Sequence, residues 1–377
     1  MQIRQGGFFI SVIGCLRRRC CRLTWPSCLP NPSTAMRKSL RALLFSGLAL
    51  AISIGNAAEP LPKEVRIAYS GGAQLIVNAK VDGSLEKAFG VPVKWVQFGT
   101  GGDVLNLFAS NSVDIANFGS SPTVSAIVRK LPIELAGTSA DIATYERLVA
   151  RKGKNIQTLQ DLAGHTVGYP PNSTAQYALD TAIQLNKIDR SKVRFVPLKP
   201  DELVAAWRRG DIDAGYVWAP FNSTLEANGG QPVFFTRDLK KDGYLIFNGI
   251  SVSKAFGEKP PELVAKLLLV LEQQVANYRR NPDAVAEAIA KELGATPGAV
   301  KESINGNNYP SIEEQLKPQW FGDGSNTDHT VLAGAVRKTA EFLGSIDQIR
   351  RTDIPASFST SINLRYLKLA EQLKAAK

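Results

Sequence analysis

A chain of 377 residues is long enough for two lobes with cores of their own, and its formal charge of +11 is unevenly spread. The first 58 residues hold eight Lys/Arg and no Asp/Glu, so residues 59–377 carry 37 basic against 34 acidic side chains. That near balance, with no basic run interleaved with aromatics after Glu59, excludes a polycationic nucleic-acid surface.

All four cysteines (Cys15, Cys20, Cys21, Cys28) and both methionines (Met1, Met36) fall before residue 37. The cysteine spacing, with no histidine nearby, matches no zinc pattern. From Met36 the character changes. Arg37, Lys38 and Arg41 form a basic stretch, residues 42–54 an apolar run, and residues 55–58 a cleavage-like end. This predicts a secretory signal at residues 36–58, too short to span a membrane, with residues 1–35 an upstream extension outside the fold. Residues 59–377 contain no cysteine, which suits an exported protein without disulfides and supplies no site for a lipid anchor.

After Glu59, strand and helix patterns alternate. Residues 65–69 read as a strand ending in Ser70, Gly71 and Gly72, where backbone can approach a ligand closely. A helix is expected over 73–89 and a strand over 93–98. Residues 99–103 open a helix over 104–110, with Asp103 at its positive end. The next strand leads from Val113 to Gly119. Ser120 and Ser121 then offer N-cap hydroxyls, and Pro122 suits the first helical position. Strands follow at 133–137 and 146–150, and the polar run 151–155 reads as the crossing into a second lobe. There, 165–169 is a strand, residues 170–174 cap a helix to about Asn186, 193–198 is a strand and 201–209 a helix. The chain returns through a strand at 244–252. It ends in helices at 260–279, 282–293, 296–305 and 330–343, with apolar stripes suited to packing on the first lobe.

The two halves share a pattern. Phe108, Asp114 and Pro122 are echoed by Trp207, Asp213 and Pro220: an aromatic six residues before an aspartate, a short strand, then proline opening a helix. Alternating units predict mostly parallel sheets flanked by helices, with ligands at the carboxyl ends of the strands. Residues 70–72, 100–103, 120–122, 172–174 and 218–220 all sit at such ends. Free N–H groups at helix starts suit a phosphate, sulfonate, sulfate or carboxylate, so a shared anion cleft is expected.

Residues 59–377 contain no phosphate-binding loop, dinucleotide fingerprint, nucleophile elbow or His-Glu-x-x-His motif. His165 and His329 lie away from the candidate loops and read as solvated or capping. Asp211 and Asp213 read as bounding a turn after Arg209. Neither catalytic residues nor a metal or cofactor is expected.

Four stretches carry a resemblance: residues 118–122 (Phe118, Gly119, Ser120, Ser121, Pro122), 206–213, 216–220 (with Trp218) and 305–309. On these the chain resembles the periplasmic taurine-binding proteins of ABC importers. More widely it is similar to the aliphatic sulfonate, nitrate and thiamine-precursor binding proteins. The resemblance runs in order over residues 60–345. It implies an α/β, two-lobed type II periplasmic binding protein whose cleft lies between the lobes. Lobe 1 is expected from 59–150 and 248–377, and lobe 2 from 151–247. It also implies a soluble monomer, without nucleic-acid partners, that delivers an organosulfonate to a membrane permease with a cytoplasmic ATPase. Carried over by position, Ser120 and Ser121 hold the sulfonate, Ser173 and Thr174 add polar groups at the second helix start, and Trp218 is the aromatic wall. Gln74 and Asn248 stand where the taurine proteins have a glutamate and an aspartate suited to an ammonium group. These two positions lead to the expectation of a sulfonate with a neutral tail rather than taurine. The alternatives are a binder of another small anion or of a thiamine-precursor pyrimidine, and a pyrimidine-synthase-type enzyme, for which both histidines are poorly placed.

Overall fold

The computed structural model describes residues 61–376; the extension and signal read at residues 1–58 lie outside the described residues. The chain first lays down β1 (Val65–Ser70), β2 (Val93–Phe98), β3 (Ile115–Gly119) and β4 (Ile133–Ile142) in one sheet. It crosses to a second sheet for β5 (Glu146–Arg151), β6 (Thr166–Tyr169), β7 (Arg194–Pro197), β8 (Ala214–Trp218) and β9 (Gly230–Phe235). It then returns for β10 (Phe247–Ser253) and the short β11 (Asn307–Asn308). Spatial order is β11-β4-β10-β3-β1-β2 in the first sheet and β7-β6-β8-β5-β9 in the second.

Both sheets are mixed, which corrects the expectation of mostly parallel sheets. β1 runs parallel to β2 and β3, and β6 parallel to β7 and β8. β10 is antiparallel to β3 and β4, and β5 antiparallel to β8 and β9. The cause is the double crossing. β5 and β10 are the strands on which the chain enters a sheet from the other lobe. They therefore run against strands built by local strand–helix–strand units.

The first crossing also falls earlier than expected, at residues 143–145. The apolar residues of β5 pair within the second sheet, and the polar run 152–155 is an exposed turn. The crossing is braced by the Gly306 carbonyl, which accepts from the amides of Ala143, Thr144 and Tyr145 at 3.2, 2.7 and 3.3 Å. The buried Arg147 adds a second brace. It pairs with Glu226 in the second lobe and, at 2.8 Å, with Glu302 of the helix Pro297–Asn305 in the first.

The shared sequence pattern has a structural counterpart in each lobe. The Arg66 amide donates to Asp114 Oδ2 at 2.8 Å, and the Asp114 amide returns a bond to the Arg66 carbonyl at 2.9 Å. The Thr166 amide donates to Asp213 Oδ2 at 2.9 Å, and the Asp213 amide returns one to Thr166 at 2.8 Å. Each aspartate thus fixes the start of a parallel pair, β1 with β3 and β6 with β8. Asp213 is therefore a strand clip, whereas Asp211 pairs at the surface with Arg209.

The helices at Pro261–Arg280, Pro282–Leu293, Pro297–Asn305 and Val331–Ser345 lie where the periodicity puts them. The stretch 73–89 instead forms two helices, Leu75–Val81 and Ser84–Phe89. They are separated at Gly83, whose φ of +66° is a left-handed conformation that glycine adopts at no steric cost. Among the described residues no helix is long and apolar enough to cross a membrane.

Candidate functional site

Three helices begin where the lobes meet: Gly101–Ala109 and Ser120–Val128 from the first lobe and Thr174–Leu185 from the second. Their cap residues Thr100, Gly119 and Ser173 line one cavity, together with Ser70, Gln74, Tyr145, Glu146, Trp218 and Asn248. The cavity volume is about 30 Å³. Among the described residues no Lys or Arg lines it, so positive potential comes from helix N-termini.

Local sequence explains each start. Thr100 and Asp103 form a capping box, the Asp103 amide donating to Thr100 Oγ1 at 3.3 Å and the Thr100 amide to Asp103 Oδ2 at 2.9 Å. Ser173 Oγ accepts from the Gln176 amide at 3.1 Å. In the third helix start the cap is Gly119, so Pro122 occupies the third helical position rather than the first. It remains within the first turn, where its missing N–H breaks no helical bond.

The lobes touch across this edge. A Cβ on Gly101 would lie 1.8 Å from the Asn172 carbonyl oxygen, and one on Gly119 would lie 2.5 Å from Thr174 Cγ2. Glycine is required at both positions for the lobes to come this close. Ser121 Oγ donates to the Ser173 carbonyl at 3.0 Å, directly between the lobes.

The two serines expected to hold a sulfonate both have protein partners in the structure. Ser121 spends its hydroxyl on the second lobe, and Ser120 Oγ is buried beside the Phe247 amide, 3.5 Å away. Neither side chain lines the cavity. Ser173 and Thr174 do, but their hydroxyls are also engaged, Ser173 with the Pro170 carbonyl at 2.6 Å and Thr174 with Glu146. Gln74 is saturated as well. Its Nε2 donates to Tyr145 Oη at 3.2 Å, and its Oε1 accepts from Asn117 at 2.7 Å.

Trp218 and Asn248 stand differently. Trp218 Nε1 and Asn248 Nδ2 are buried and have no hydrogen-bond partner in the protein. The same holds for Glu146 Oε2, whose sister oxygen accepts from Thr174. An unsatisfied buried polar group costs roughly 1–3 kcal/mol, so two donors and a carboxyl oxygen converging on one cavity describe a binding surface.

Glu146 is the residue that reading the sequence missed, and it changes the chemistry of the cleft. The carboxylate absent at Gln74 and Asn248 is present here, 1% exposed. Burial pushes its carboxyl up to about 8, against the opposing pull of the Thr174 hydrogen bond. The cleft therefore carries one buried carboxyl group, at neither of the two positions read from the sequence. Phe98 and Phe118 complete the wall as an edge-to-face pair with centroids 6.5 Å apart. His165 lies outside the cavity, its Nδ1 3.4 Å from Asp213, as does His329 in a turn at Thr327–His329. Among the described residues no group of three His, Cys, Asp or Glu could hold a metal.

Two α/β lobes joined by a double crossing, with helix starts and unpartnered polar atoms facing each other, define a protein that encloses a small polar ligand. Residues 63–292 match the family described as the substrate binding domain of ABC-type glycine betaine transport system, and the chain belongs to that family. The taurine-binding periplasmic protein of Escherichia coli (strain K12) is 32% identical over 258 residues, covering 67% of this chain and 79% of that protein. Among solved structures, the alkanesulfonate-binding protein SsuA from Xanthomonas axonopodis pv. citri bound to MOPS superposes with a TM-score of 0.65. It is 18% identical, covering 78% of this chain and 96% of that one. The desulfurization enzyme DSZB shares the fold at a TM-score of 0.58 and 16% identity, covering 83% of this chain and 100% of its own. These relatives include binding proteins and an enzyme on one scaffold, so function is argued from the cleft and not from the fold.

Proposed function

We propose that this protein is the substrate-capturing component of an ABC importer. It takes taurine or a related organosulfonate from the periplasm and hands it to a membrane permease driven by a cytoplasmic ATPase. It acts by binding alone, as a monomer exported by the signal at residues 36–58. The observation that carries the reading is the convergence of three helix N-caps, Thr100, Gly119 and Ser173, with the unpartnered donors of Trp218 and Asn248 on one cavity. A sulfonate offers three acceptor oxygens in a fixed tripod, and N–H groups from several directions replace its water shell without a full countercharge. The lobes close over it, with Gly101, Gly119 and Ser121 permitting and holding the contact.

The family's description raises glycine betaine as a second ligand class, and aromatic side chains do line the cleft. A quaternary ammonium has no N–H to offer Glu146 Oε2, whereas the primary ammonium of taurine does. The test is a thermal-shift and calorimetric panel of taurine, ethanesulfonate, glycine betaine, nitrate and a phosphonate. Stabilisation by the two sulfonates above the others supports the reading, and a preference for betaine or nitrate overturns it.

A further inference from the structure

Glu146 is built into the cleft with one oxygen fixed by Thr174 and one unpartnered. Resting on the organosulfonate reading, we propose that Glu146 makes the cleft selective for a sulfonate that carries an ammonium group, and that its carboxyl proton leaves as that ligand binds.

The surroundings of Glu146 contain no cation to hold it as an anion. Tyr145 at the crossing and Tyr216 on β8 are its ionisable neighbours, and burial pushes both hydroxyls up, so they stay neutral. On the helix Thr174–Leu185 the ionisable side chains are engaged elsewhere, Tyr177 against Phe342 and Asp180 with Arg190. β9 carries no ionisable residue, and Arg147 is turned to Glu226 and Glu302. The first lobe's share of the lining (Ser70, Gln74, Phe98, Thr100, Phe118, Asn248 and small residues) adds no charge. A carboxyl so placed keeps its proton in the absence of a cation, and its raised affinity for that proton is consistent with this.

An entering ammonium group reverses the balance. Its N–H donates to Oε2 only if that oxygen is anionic or free of its proton, and the pair is then a charge-assisted hydrogen bond in a desolvated site. The O–H bond of Glu146 breaks, the proton passes to solvent, and the ligand keeps all its own protons. One proton is released per ligand, and no other reactant is needed. A sulfonate with an apolar tail leaves the proton where it is.

Calorimetric titration at pH 6.5 in two buffers of different ionisation enthalpy reads this directly. Taurine should release close to one proton per site and ethanesulfonate close to none, and the taurine release should fade toward pH 9. Glu146→Gln replaces the protonated carboxyl by its neutral isostere. It should abolish the release and shift the taurine-to-ethanesulfonate affinity ratio against taurine by about tenfold or more. The proton count is measured on the wild-type chain and decides without the variant. Equal proton counts for both ligands, or an unchanged ratio in the variant, overturn the inference while the organosulfonate reading stands. If neither sulfonate binds, that reading fails and the inference goes with it.

Discussion

Glu146 and Trp218 lie directly opposite each other across the antiparallel pair of β5 and β8, and each keeps one buried polar atom without a protein partner. The first lobe repeats the arrangement with Asn248 on β10 opposite Gly119 at the end of β3. In both lobes the strand entered from the other lobe presents its amino end to the cleft, beside the carboxyl end of a locally built strand. The cleft is thus made from both kinds of strand end, and this determines which substitutions affect binding.

Trp218→Phe and Asn248→Ala each remove an unpartnered donor. Each should weaken sulfonate binding by roughly 1–3 kcal/mol, the worth of a hydrogen bond to a charged group. Calorimetry with taurine checks this. Unchanged affinity in both variants would place the sulfonate elsewhere.

Ser121→Ala removes a bond between the lobes and not a ligand contact. The cost should be about 0.5–1.5 kcal/mol, typical of a neutral hydrogen bond, and should fall equally on taurine and ethanesulfonate. Stopped-flow measurement should show the loss mainly in the dissociation rate. A variant that discriminates between the two ligands would return Ser121 to direct contact.

Gly101→Ala introduces a methyl group where the Asn172 carbonyl sits. The methyl would also lie 2.7 Å from Pro122 Cβ in the same lobe, so the melting temperature should fall as well. Closure should be opposed by about 1–3 kcal/mol, the usual cost of overpacking. Small-angle scattering with saturating taurine should show a more open average shape than wild type, and an equally compact complex would contradict this account of the lobe contact.

The extent to which these residues were legible in the sequence follows from strand direction. Helix starts near residues 99–103, 120–122 and 170–174 were readable because capping residues, glycine and proline mark them locally, although the caps are Thr100, Gly119 and Ser173 rather than the residues the pattern favours. The paired roles of Asp114 and Asp213 showed as a repeated spacing, although their function as strand clips needed the register. Glu146 was not readable as a site. A rule that looks at the carboxyl ends of strands passes over the amino end of an antiparallel one, and β5 becomes antiparallel only through the crossing at residues 143–145. The hydroxyls of Ser120 and Ser121 were legible as polar groups at a helix start. Their partners, Phe247 and Ser173, are set by tertiary contact alone.

Glu146 also sets a pH dependence for the ligand-free protein. Its carboxyl moves from an ordinary value of 4.5 to about 8 in the fold, so between these values the folded state holds a proton that the unfolded chain has lost. Stability from this group is fully present below pH 4.5 and is lost as pH rises toward 8, at up to about 1.4 kcal/mol per pH unit. The melting temperature of wild type should therefore fall relative to Glu146→Gln between pH 5 and 8. Parallel curves for the two proteins would show that Glu146 is not held protonated in the fold.

The most direct test of the central claim is a crystal structure of the protein with taurine. The sulfonate should lie among the N-termini of the helices Gly101–Ala109, Ser120–Val128 and Thr174–Leu185, within hydrogen-bond distance of Trp218 Nε1 and Asn248 Nδ2, with the ammonium on Glu146 Oε2. Taurine bound in the reverse orientation, or outside this cleft, would contradict the account.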